Sequence, residues 1–147
     1  MGYNVSLRSA HFHVPEAWTV LRALKNLNKQ DHLKRGGYYG PGGKTESWFS
    51  WMPTDWDTTC TTVQEVFELL GFETTIVDGH EPYAKAVSLE VYEQKTGQED
   101  LFCRAVAPYM EKGSYLEWIG EDFAEEVWVV QDGELKCLVR EESKWWE

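Results

Sequence analysis

Glu125-Glu126-Val127-Trp128-Val129-Val130-Gln131-Asp132-Gly133-Glu134-Leu135-Lys136-Cys137-Leu138-Val139-Arg140 is the stretch that decides the fold. Its two apolar runs are separated by Asp132-Gly133. Asp-Gly accepts the two positive φ angles of a tight turn whose twist matches the strands it joins. The pattern predicts a hairpin of strands over 125–131 and 134–140, preceded by a third strand over 114–119.

Upstream, Gly97-Gln98-Glu99-Asp100 opens a helix with acids suited to its N-terminal dipole. Leu101, Phe102, Ala105, Val106 and Tyr109 form its apolar face, and Pro108 kinks or ends it. Two strands over 72–77 and 86–92 come before it, separated by Asp78-Gly79-His80 and Pro82. Before them, Thr62-Val63-Gln64-Glu65 has the capping-box pattern, and Val63, Val66, Phe67 and Leu70 follow a helical period. Gly71 stands where a left-handed C-cap is wanted.

In the first third, Tyr3, Val5 and Leu7 alternate, and then the apolar parity switches to Ala10, Phe12 and Val14. This predicts one strand with a bulge near Arg8-Ser9. Pro15 suits the first turn of a helix running to about Asn28, with Glu16 on its dipole and Trp18, Leu21 and Leu24 on its buried stripe. Arg22, Lys25 and Lys29 take the other face. Residues 30–47 hold five glycines and one proline with His32, Lys34, Arg35 and Lys44, and read as a Gly-rich basic loop. Residues 48–52 read as a short strand stopped by Pro53. The order β-α-β-α-β-β-α-β-β-β gives an α+β fold, an antiparallel sheet with helices packed on one face, in a single domain over 1–147.

Charge is unevenly distributed. Residues 1–47 carry a net +4 and residues 48–147 a net −15, which make up the −11 of the chain. Such a field repels nucleic acid and anionic membranes and attracts basic partners. At 42% hydrophobic residues, with eight Trp, seven Tyr and six Phe, the chain has the material for a core and is not a disordered acidic tail. No secretory signal pattern is read at the N-terminus, and no run approaches the roughly 18 apolar residues of a membrane span, so a cytoplasmic location is expected. Cys60, Cys103 and Cys137 are odd in number and in no C-x-x-C pairing, which argues for reduced thiols and against a disulfide framework.

Patterns that carry chemistry are sparse. Residues 37–45 resemble a phosphate-binding loop, but Gly37 is one residue out of register with Gly43-Lys44-Thr45. His11 and His13 point to one side of a strand, too few for a zinc site, and read as a solvated edge. Asp55-Trp56-Asp57 sets two carboxylates beside an aromatic, as a glycosidase would, yet the same residues serve as turn and cap. Trp48 and Trp51 are three apart and face opposite ways in a strand, so one is expected as an interface anchor beside Trp56. Glu117, Glu121, Asp122, Glu125 and Glu126 form an acidic hairpin. It reads either as a solubilising face or as a ridge that occupies a basic surface in the place of phosphates.

The segments 95–102, 105–109 and 113–122, with Leu33-Lys34-Arg35-Gly36-Gly37 and Trp48-Phe49-Ser50-Trp51-Met52, resemble small uncharacterised acidic proteins of actinobacteria and their phages. The resemblance covers most of the chain and implies a phage or mobile-element accessory protein with no particular activity. Where such proteins tend to carry Gly after the Gly-Glu-Asp turn, this chain has Phe123. The expectation is a non-enzymatic protein that binds and inhibits a host protein with a basic surface, in defence or nucleic-acid-handling machinery. Glu117, Glu121, Asp122, Glu125 and Glu126 would make the contact, with Trp48, Trp51 and Trp56 as anchors. The alternative is a small hydrolase using Asp55, Asp57 and the 30–47 loop around His32 and Lys44. No metal, cofactor or membrane partner is implied, the net charge opposes direct nucleic-acid binding, and the oligomeric state stays open.

Overall fold

The computed structural model describes residues 3–50, 52–79, 81–141 and 144–146, the side chains at 39, 44, 45, 140, 141 and 144–146 excepted. In chain order the elements are β1 (Asn4–His11), β2 (His13–Pro15), α1 (Trp18–Asn26), β3 (Gly36–Gly40), β4 (Gly43–Trp48), α2 (Trp56–Thr59) and α3 (Val63–Leu70). They continue as β5 (Glu73–Asp78), β6 (Lys85–Val91), β7 (Glu93–Lys95), α4 (Glu99–Val106), β8 (Tyr115–Gly120), β9 (Glu125–Gln131), β10 (Glu134–Glu141) and β11 (Lys144–Trp146). The α+β class with antiparallel pairing is the one the sequence predicts.

β1 changes register with β8 between Leu7 and Ser9, so the bulge marked by the parity switch is present. The first strand then bends at Phe12 into β2, and the strand paired with it bends at Tyr92, where β6 passes into β7. Both bend residues are fully buried. Leu7 N–H donates to the Tyr92 carbonyl at 2.8 Å and Leu89 N–H to the Phe12 carbonyl at 3.1 Å. The two strands turn together, so the six-stranded sheet β11-β10-β9-β8-β1-β7 runs on into the three-stranded sheet β2-β6-β5. Phe72, Tyr92, Trp118 and Trp128 form a chain of rings against the helices, with successive centroids 4.6, 5.3 and 4.9 Å apart. Aromatic pairs in such tilted or edge-to-face arrangements contribute about 0.5–1.5 kcal/mol each beyond their burial.

Several local expectations are corrected. Pro15 ends β2 opposite Ala86 and does not start a helix; α1 begins at Trp18. The buried stripe is therefore Val20, Leu21 and Leu24, with Trp18 left 62% exposed. Glu16 does not serve the α1 dipole. Its carboxylate caps α3, accepting from Val63 N–H at 2.9 Å and Gln64 N–H at 3.0 Å, where helix polarity favours an anion. Residues 30–47, read as a loop, contain the β3–β4 hairpin. Of the short strand expected over 48–52, Trp48 is the last residue of β4, residues 49, 50 and 52 lie outside any strand, and Trp51 lies outside the described residues.

At α3 the reading holds: Thr62 Oγ1 accepts from Glu65 N–H at 3.1 Å, and Gly71 is left-handed with φ 118°. Asp132 and Gly133 have φ of 53° and 75°, as the Asp-Gly turn requires.

Candidate functional site

The bulge in β1 decides what the acidic hairpin looks like. It turns Arg8 to the outer face of the sheet, where the guanidinium pairs with Glu117 at 3.6 Å and with Glu125. Glu126 accepts from Trp128 Nε1 at 2.8 Å. Three of the five expected contact acids are thus engaged within the fold. The sequence showed the bulge and the acids but not that one places a cation among the others.

Glu121 and Asp122 lie beyond this network, in the turn between β8 and β9, and both are exposed. The turn is tightly built. Gly120 N–H donates to the Ala124 carbonyl at 2.8 Å and Phe123 N–H to the Gly120 carbonyl at 2.9 Å. Glu121 N–H donates to the Asn4 carbonyl at 2.9 Å. The Asp122 carboxylate accepts from Tyr3 Oη–H and, at 3.1 Å, from Ala124 N–H. These two bonds, the Tyr3 one foremost, hold the Asp122 carboxyl below its usual range, and the same bond raises the Tyr3 phenol. A Cβ at Gly120 would run into the Tyr3 ring, so a side chain there would displace Tyr3 from Asp122.

At the tip stands Phe123, 81% exposed and with φ 68°. A non-glycine residue in the left-handed region costs roughly 1–2 kcal/mol, and no burial of the ring offsets it. Phe123 was missed as a site residue because an apolar residue after Gly-Glu-Asp looks like the start of the next strand.

The expected tryptophan anchors are distributed differently. Trp56 is fully buried against Phe102, with centroids 5.3 Å apart, and so cannot be a surface anchor. Trp48 is half-buried and meets the exposed Tyr38 edge-on at 5.2 Å. Trp51 lies outside the described residues. Of the hydrolase residues, Asp57 accepts from Asn28 Nδ2 at 2.8 Å, Asp55 offers its backbone carbonyl to Thr58 and Thr59, His32 is exposed, and the Lys44 side chain lies outside the described residues.

His11 and His13 lie with ring centroids 4.5 Å apart, tilted by 46°, and help line a cleft of about 270 Å³ with Tyr83, Lys85 and Tyr109. Among the described residues no group of three His, Cys, Asp or Glu side chains is arranged to hold a metal. Among them, too, no helix is long and apolar enough to cross a membrane. Cys60 and Cys103 are buried and Cys137 half-buried, and burial pushes all three thiols up.

Comparison with protein-family models, curated proteins and solved structures returns no match.

Proposed function

We propose that this chain is a non-enzymatic binding protein that docks on a basic surface of a host protein and thereby inhibits it. Phe123 is the anchor, and Glu121 and Asp122 are its charged rim. The observation that carries this reading is an aromatic side chain held out in solvent, in a strained backbone conformation, on a turn fixed by several hydrogen bonds. Rigid exposed aromatics rimmed by charge have the anatomy of interface hot spots, because the ring loses little entropy on burial. The −15 balance of residues 48–147 supplies steering toward a basic surface, worth about 10- to 1000-fold in on-rate at low salt. Basic grooves are characteristic of nucleic-acid-handling and defence machinery, and the accessory-protein context implied by the resemblance agrees with such a target.

Phe123→Gly tests the reading because fold and function respond in opposite directions. Relief of the left-handed strain should stabilise the chain by about 1 kcal/mol in urea unfolding, while capture of a basic protein from host lysate should fall at least tenfold. Equal capture by wild type and Phe123→Gly would sink the assignment.

A further inference from the structure

Helix α1 carries a surface complementary to this turn. On α1, Trp18 is 62% exposed, and the Arg22 guanidinium and Lys25 ammonium lie 5.7 and 5.8 Å from its ring centroid. These residues, with the exposed Lys29 just past the helix, repeat at i, i+4, i+7 and i+11, which makes one stripe along a helix face. Cations over an indole attract at about 0.5–1 kcal/mol in exposed sites, so the stripe is a preformed aromatic platform rimmed by positive charge. The turn at 121–123 is an exposed aromatic rimmed by negative charge.

We propose that the chain associates with itself head-to-tail, the α1 stripe of one copy receiving the Glu121-Asp122-Phe123 turn of the next. A contact between two different patches leaves one of each unoccupied at the ends, so growth is open unless the rotation closes a ring. Copies with a net charge of −11 repel at long range. Association should therefore be strongest near ~0.1 M salt, where the Debye length of about 10 Å screens whole-molecule repulsion but leaves contact pairs, and should fade toward ~1 M. The contact shares the turn with the function proposed above. Self-association and capture of a basic partner are then mutually exclusive at that surface.

Sedimentation velocity across a wide concentration range tests this with two variants. Arg22→Glu/Lys25→Glu alters only exposed or half-exposed groups of α1, and Glu121→Lys/Phe123→Gly leaves the turn's hydrogen bonds in place. Wild type should exceed 17.1 kDa as concentration rises, and each variant alone should stay there. An equimolar mixture of the two should stop at a dimer, because it retains one intact stripe and one intact turn. Wild type at the single-chain mass throughout, a variant that associates as wild type does, or a mixture without dimer would each overturn the proposal. The α1 variant keeps the turn intact and should still capture a basic partner, so the two readings fail separately.

Discussion

At the start of α4, Glu99 is 2% exposed, and its carboxylate accepts from Thr96 Oγ1 at 2.6 Å, Gly97 N–H at 2.8 Å and Tyr92 Oη–H at 3.2 Å. At the β8–β9 turn, Glu121 and Asp122 stand in solvent beside an exposed ring. The acids of this chain thus divide by what surrounds them. Glu16 and Glu99 satisfy backbone groups that water does not reach easily. Arg8 draws Glu117 and Glu125 into the sheet. Of the five acids of the hairpin at 117–126, only Glu121 and Asp122 stand outside the Arg8 and Trp128 contacts, on a short turn.

That contrast can be broken by measurement. The largest effect belongs to Glu99→Ala, which leaves three donors without their acceptor and should cost roughly 3 kcal/mol in urea unfolding. Glu99→Gln, which keeps an acceptor oxygen, should recover much of it, and a loss below about 1 kcal/mol for the alanine variant would place Glu99 with the surface acids. Glu16→Ala comes next. Two N–H groups at the α3 start lose their acceptor, at a cost of about 1–2 kcal/mol, and amide exchange at Val63 and Gln64 should rise first.

The smallest effect is the pH response of the turn. Asp122 is lowered chiefly by Tyr3 and then by Ala124 N–H, so its contribution is full above the ordinary aspartate pKa and lost as pH falls through the lowered value. Tyr3 is raised chiefly by Asp122; its contribution is full below the ordinary tyrosine pKa and lost as pH rises through the raised value. NMR shifts of the Tyr3 ring and the Ala124 amide should report both limbs, and Asp122→Asn should flatten the acid one. An unchanged acid limb in that variant would mean that the Tyr3–Asp122 bond does not organise the turn.

Local grammar explains what was legible in the sequence. The Asp132-Gly133 hairpin, the Thr62 cap, the Gly71 stop and the bulge at Arg8-Ser9 each depend on residues a few positions apart, and each is found. The failures are long-range. Glu16 caps a helix 47 residues away. Pro15 is claimed by a strand partner at Ala86, which shifts α1 and turns Trp18 outward. Trp56 looked like a surface residue between two acids, but it is covered by Phe102 from a helix more than 40 residues later. The surroundings of the acidic hairpin were hidden for the same reason, since Arg8 and Tyr3 reach it across more than 100 residues of chain.

The side chain of Gln98 carries a different kind of consequence. Its Oε1 accepts from Arg35 N–H at 3.0 Å and Ser50 N–H at 3.2 Å, and its Nε2 donates to the Leu33 carbonyl at 2.6 Å. One buried amide therefore fastens both feet of the β3–β4 hairpin to the N-cap of α4. A segment whose ends meet at a single fixed point is an insertion as far as the rest of the chain is concerned, and exchanging it for one twice as long costs only about 0.6 kcal/mol of closure entropy. Residues 36–48 are the natural socket for grafting a foreign peptide onto this scaffold.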